Sequence, residues 1–100
     1  MPEKILSAEA VDEVLASGHL GWRRDGDTLV KEVRRRDFAA ALSFVDAVGS
    51  LAEEAGHHPD IDIRWNQVTL RLSTHSAGGL TALDLDLAGR VDRLPEPDPA

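Results

Sequence analysis

Between Phe38 and Leu72 the apolar residues change from a helical period to a two-residue period, and the change falls at Gly56. Phe38, Ala41, Leu42, Val45, Val48, Ala52 and Ala55 recur three or four positions apart. Ile61, Ile63 and Trp65 then alternate with Asp62 and Arg64, and Val68, Leu70 and Leu72 alternate with Thr69, Arg71 and Ser73. The first spacing lines one stripe of a helix, the second one face of an antiparallel hairpin. Both surfaces need cover from water, so a helix must lie on a sheet. Asn66-Gln67 is the expected hairpin turn, and Trp65, closing an alternating strand, is expected in the core. Asp37 stands where an N-cap is needed, and Gly56 where a helix often ends in a left-handed residue.

The flanking segments extend this plan. Ser7 is placed to cap a first helix carrying Val11, Val14 and Leu15 as far as Gly18, with Leu6 as a staple. Gly21–Arg24 and Thr28–Val33 flank Asp25-Gly26-Asp27, whose Asp-Gly pair signals a hairpin. Trp22 is expected in the core, and His19 near a helix C-terminus, where the dipole favours it. Gly78-Gly79 breaks the chain, and Thr81 with Asp84 forms a T-x-x-D capping box ahead of Leu83, Leu87 and Val91. The order is helix, hairpin, helix, hairpin, helix. It predicts an α+β, two-layer fold: a four-stranded antiparallel sheet with helices packed on one face. Residues 1–94 are read as one domain, and the proline-rich, acidic residues 95–100 as a disordered tail.

Composition removes several functions. The chain has no cysteine, so thiol nucleophiles, thiolate zinc sites and disulfides are excluded. Its formal charge of -7 disfavours nucleic acid or an anionic membrane as partner. The N-terminal residues lack the apolar stretch of a signal peptide, and no run approaches the roughly 20 residues that cross a bilayer. A cytoplasmic protein is expected. Arg34-Arg35-Arg36 departs from the acidic balance and reads as a solvated strand end.

Three of the four histidines, His57, His58 and His75, fall between Glu53 and Asp84. Free imidazole has a pKa of about 6.5, so near neutrality it can both give and take a proton. Pro59 holds His58 in extended backbone, which pre-orients the pair. His75 falls on the polar parity of its strand or just beyond the strand's end.

Glu53, His57-His58-Pro59, Trp65, Ser73-Thr74-His75, Gly78-Gly79-Leu80-Thr81 and Asp84 resemble, in identity and spacing, the motif of the pterin-4a-carbinolamine dehydratases. The resemblance covers essentially the whole chain, with Trp22 and the Asp37-Phe38 helix start in matching places. Two positions depart from the family pattern: Arg35 replaces a buried Phe, and Ser76 replaces an acidic residue after the histidine. The resemblance implies a hydro-lyase that eliminates water from a 4a-hydroxytetrahydropterin to give a quinonoid dihydropterin, recycling the tetrahydrobiopterin cofactor. It implies His57, His58 and His75 as catalytic residues, and Glu53, Pro59, Trp65, Thr74 and Asp84 as substrate-binding or imidazole-orienting. It implies no metal and no redox cofactor, a small-molecule pterin as the partner, and a homodimer or homotetramer. An open sheet leaves unpaired edges, which agrees with self-association.

Two other classes fit some of the same residues. A metal site could draw on the histidines and a carboxylate, since imidazole and carboxylate suit zinc or iron. Adjacent extended histidines point to opposite sides, however, and no H-E-x-x-H pattern is present. Alternatively the chain is a non-catalytic homologue that binds protein through its helices, as some animal relatives of the family do for a transcription factor.

Overall fold

A side chain or a glycine meets the unsatisfied backbone at most element boundaries. The structure, a computed structural model, describes residues 4–18 and 21–94. His19 and the 95–100 tail lie outside the described residues. Ser7 Oγ accepts from the Ala10 N–H at 3.1 Å and opens α1 (Ala8–Gly18). Gly26-Asp27 joins β1 (Trp22–Asp25) to β2 (Thr28–Arg34), with Gly26 at φ 61°. Asp37 Oδ1 accepts from the Ala40 N–H at 2.8 Å and caps α2 (Phe38–Ala55). Gly56, at φ 65°, ends that helix by donating its N–H back to the Ala52 and Glu53 carbonyls. The chain then forms β3 (Asp60–Arg64), β4 (Gln67–Leu72) and α3 (Ala82–Asp92).

The four strands make one antiparallel sheet in the order β1-β2-β4-β3. Leu29 lies opposite Leu72 and Val33 opposite Val68, while Ile61 lies opposite Leu70. Cross-strand partners share a face, so these residues form one apolar surface. Val11 of α1, Ala41, Phe44 and Val48 of α2, and Leu87, Ala88 and Val91 of α3 complete the core over it. Leu29, Leu70 and Val48 have no exposed surface, and truncating a leucine of this kind to alanine costs about 2–5 kcal/mol. The other face carries Arg23, Glu32, Asp62, Thr69 and Arg71. The fold class is thus the expected one.

Four local expectations fail. Trp65 is not a strand residue: it sits with Asn66 in the β3–β4 turn at φ 51°, and is 67% exposed. The turn is therefore one residue earlier than Asn66-Gln67. Phe38 and Leu42 belong to the helical stripe by spacing, yet are 47% and 44% exposed. α2 is apolar on more than the side facing the sheet, and Phe44, outside that spacing, takes the buried place. Ile61 is 38% exposed, because β3 is an edge strand. Finally, Arg35 is not solvated but 7% exposed, with its guanidinium carbon 4.4 Å from the Phe44 ring centre.

Candidate active site

Two chain segments far apart in sequence reach one end of the sheet because of the β3–β4 register. Asp60 pairs with Arg71, so the residues just before β3 and just after β4 are neighbours. On the first segment, Gly56 turns the chain out of α2 and the His57 N–H bonds to the Ala52 carbonyl at 3.1 Å. His57 and His58 follow without helix or strand structure, and Pro59 restricts His58 to extended geometry. On the second, Thr74 closes a small loop: its N–H donates to the Gly79 carbonyl at 3.1 Å, and its carbonyl accepts from Gly78 at 3.0 Å. Gly78, at φ 80°, permits that closure. His75 is exposed within this loop.

The start of α3 supplies the third wall. Thr81 and Asp84 make the expected capping box, but Asp84 does more than cap. Its side chain is fully buried, and Oδ1 lies 2.6 Å from His57 Nε2, whose side chain is 11% exposed. Asp84 Oδ2 accepts from the Thr74 hydroxyl at 2.7 Å and from the Thr81 N–H at 2.9 Å. The Thr74 and Thr81 hydroxyls are themselves 2.7 Å apart. His58 Nε2 bonds to a carboxylate oxygen of Glu53, and both of those side chains are largely exposed. One imidazole is thus held from behind by a buried network, the other by a group in water.

A cavity of about 290 Å³ opens between these segments, lined by Gly56, His57, His58, Ser73, Thr74, His75, Ser76 and Leu83. Its size is at the lower end of small-ligand sites, about 300–1,000 Å³. All three motif histidines and Thr74 line it, with Asp84 behind His57. Glu53 reaches it only through His58 and otherwise faces an open depression along α2. Pro59 shapes the backbone without lining the cavity. Trp65 is at the opposite end of the hairpin, five residues beyond Asp60, or about 17 Å of strand at roughly 3.3 Å per residue. Ser73, a motif residue without an implied role, also lines the site, as do Ser76 and Leu83, of which Leu83 was legible as an apolar helix position.

A second cleft of about 340 Å³ lies between β2 and α3, lined by residues that include Lys31, Arg34, Arg35 and Asp92. It is larger than the histidine cavity, but no histidine lines it; imidazole can both give and take a proton near neutrality, so the histidine cavity is the candidate site. Among the described residues, no three His, Asp or Glu side chains converge as a set of metal ligands. No described helix is long and apolar enough to cross a membrane.

The model of the pterin 4 alpha carbinolamine dehydratase family matches residues 4–94. A Nocardia farcinica protein provisionally named pterin-4-alpha-carbinolamine dehydratase is 58% identical over 73 residues, which is 73% of this chain and 77% of that protein. A Brucella melitensis structure described as a transcriptional coactivator/pterin dehydratase superposes with a TM-score of 0.83 at 27% identity, covering 89% of this chain and 96% of the other. A pterin dehydratase-like protein described as a RuBisCO assembly factor in the alpha-carboxysome matches with a TM-score of 0.61 at 30% identity, over 75% of this chain and 90% of that one.

Proposed function

The chain belongs to the pterin 4 alpha carbinolamine dehydratase family, and from that premise we propose that it removes water from a 4a-hydroxytetrahydropterin by histidine acid/base catalysis, in the recycling of a pterin cofactor in the cytoplasm. The observation that carries this reading is the convergence of His57, His58 and His75 on one cavity, with His57 backed by the buried Asp84. In the elimination the C4a–O bond breaks as the hydroxyl takes a proton and leaves as water. N5 gives up its proton and the C4a=N5 double bond of the quinonoid dihydropterin forms. One group must donate and another accept, and neither step needs a metal or a redox cofactor. Imidazole suits both tasks, each worth typically 10²- to 10⁴-fold in rate. We take His57 and His75 as the acid/base pair. His58 assists in binding or serves as the alternate acid for the other epimer.

The experiment supplies 4a-hydroxytetrahydropterin and follows its loss by absorbance with the wild type, His57→Ala and His75→Ala. The reading requires wild-type acceleration and a fall on the order of 10²-fold or more in each variant. Folded variants that match the wild type would refute histidine catalysis.

Self-association completes the proposal. β3 is an edge strand, and Ile61, Phe38 and Leu42 expose apolar surface on it and on α2. Pairing two β3 strands antiparallel about a twofold axis through Ile63 sets Asp62 opposite Arg64 twice, a complementary register. A homodimer, or a homotetramer built from it, would cover this surface.

The relative described as a RuBisCO assembly factor motivates a second reading, a non-catalytic protein-binding module. Absence of any wild-type acceleration, together with one protein partner held stoichiometrically, would favour it.

A further inference from the structure

The hydrogen bonds behind His57 can be given directions, because two of the donors are backbone N–H groups that cannot reverse. The Leu83 N–H donates to Thr81 Oγ1 at 3.2 Å, and the Thr81 N–H donates to Asp84 Oδ2 at 2.9 Å. The Thr74 hydroxyl donates to the same Oδ2 at 2.7 Å, which uses its single proton. The contact between the two threonine hydroxyls, at 2.7 Å, must then carry the Thr81 proton toward Thr74. Asp84, as a carboxylate, has only acceptors, so the His57 Nε2 at 2.6 Å must carry the hydrogen.

We propose that Asp84, oriented by Thr74 and Thr81, locks His57 in the Nε2–H tautomer and so makes Nδ1 the atom that exchanges a proton with the substrate. Its functional half rests on the dehydratase reading; its structural half does not. Thr74 is then a positioning residue rather than a substrate contact. Its hydroxyl steadies the carboxylate behind His57 while its backbone closes the loop that carries His75. A single residue thereby sets the supports of both proposed proton-transfer groups. The network is dry at its centre: Thr74 is 3% exposed, and Thr81 and Asp84 are not exposed at all. In such surroundings a wrongly directed hydrogen bond leaves a buried group unsatisfied, so one direction of the chain excludes the other.

The test reads the tautomer itself, from imidazole ¹⁵N shifts of the substrate-free protein at a pH where His57 is neutral. The wild type should show the Nε2–H form, and the Nδ1–H form would overturn the proposal. Asp84→Asn is nearly isosteric, yet it should reverse the assignment. The Thr81 N–H demands an oxygen at the Oδ2 position, which leaves the amide NH₂ facing Nε2 and forces the hydrogen onto Nδ1. An unchanged tautomer in a folded Asp84→Asn protein would also overturn it. With dehydratase substrate, the same variant should lose 10²- to 10⁴-fold in kcat with a much smaller change in KM, since the cavity keeps its shape. Thr74→Val should bring the Nε2 proton into fast exchange with water, and Thr74→Ser should restore the wild-type signal. Equal proton protection in all three proteins would remove Thr74 from the lock. A wild type that holds Nε2–H but never accelerates dehydration would support the lock and retire the dehydratase reading.

Discussion

Arg35 lays its guanidinium over the ring of Phe44, 4.4 Å from the ring centre, at a position only 7% exposed. Just past the end of β2, the core is thus closed by a stacked cation. A desolvated cation–π contact is worth about 2 kcal/mol, and the side-chain methylenes add apolar burial. Arg35→Ala should therefore destabilise the protein by about 2–3 kcal/mol in urea unfolding. Arg35→Met, which keeps the volume and drops the charge, should stay within about 1 kcal/mol of the wild type. If Arg35→Met were as damaging as Arg35→Ala, the charge and not the packing would be what holds β2 to α2.

The two imidazole–carboxylate pairs differ in their surroundings, and their variants should differ accordingly. His57 and Asp84 are shielded from water, whereas His58 and Glu53 have side chains 63% and 78% exposed. Water screens the exposed pair and can replace either partner. Glu53→Gln should change kcat/KM of the proposed dehydration by less than about 10-fold. Asp84→Ala should lower it by at least 10²-fold, because the imidazole it positions is worth at least that as an acid or base. Comparable losses in both variants would mean that the cavity closes over Glu53 when substrate binds.

The parts of the molecule that sequence made legible are those governed by local rules. Asp37, Gly56 and Thr81 set helix ends because each satisfies a neighbouring backbone group, and Gly26, at φ 61°, supplies the left-handed residue of the first hairpin turn. His57, His58, Thr74 and His75 could be grouped because a hairpin returns the chain to its starting end. The failures are tertiary. Trp65 keeps strand parity with Ile61 and Ile63, and nothing in its type announces a left-handed backbone. Arg35 reads as surface until Phe44 is seen beneath it. Asp84 is different: local rules read it as a cap, and its contact with an imidazole was implied only by the family resemblance, since that contact depends on where the turn after α2 delivers His57. Ser76 lines the site simply because it follows His75, and Ser73 because it precedes Thr74.

Trp65 offers a test of its backbone. A non-glycine residue at φ 51° carries a cost that glycine does not, of about 1 kcal/mol. Its ring is 67% exposed, so little packing opposes the change. Trp65→Gly should leave urea stability unchanged or raise it by up to about 1 kcal/mol, despite the loss of a large aromatic side chain. A loss beyond about 1 kcal/mol would show that the indole is covered in solution, as an oligomer contact at the hairpin tip would require.

The proposed β3 contact can be tested separately. Ile61→Lys puts a charge on the partly exposed inner face of the edge strand, where a buried unpaired charge is strongly unfavourable but an exposed one is harmless. If two copies pair along β3, light scattering at micromolar concentration should show an oligomer for the wild type and a monomer for Ile61→Lys. An oligomer unaffected by the substitution would move the contact elsewhere, with Phe38 and Leu42 on α2 the next surface to alter.

Acid should loosen α1 before it reaches the core. Arg24 on β1 donates to Asp12 on α1 through Nε at 2.8 Å and through Nη2 at 3.2 Å. The hydrogen bond from Arg24 holds the Asp12 carboxyl below its ordinary 3.8, while partial burial opposes the shift. A carboxyl whose folded value is depressed stabilises the fold fully above its unfolded value, and that stabilisation fades as pH falls through the folded one. Asp12→Asn removes the charge at every pH. The wild type should therefore be the more stable protein at pH 7, with the gap closing as pH falls below the ordinary carboxylate value of about 4 and gone once pH is below the depressed folded value. Because Asp12 is exposed and Arg24 only partly covered, the gap should also shrink when salt is raised toward 1 M, where the screening length is about 3 Å. Thermal melts of the two proteins from pH 2 to 7 check the sign. A gap that widened on acidification would mean that Asp12 holds α1 through its protonated form, with Arg24 a bystander.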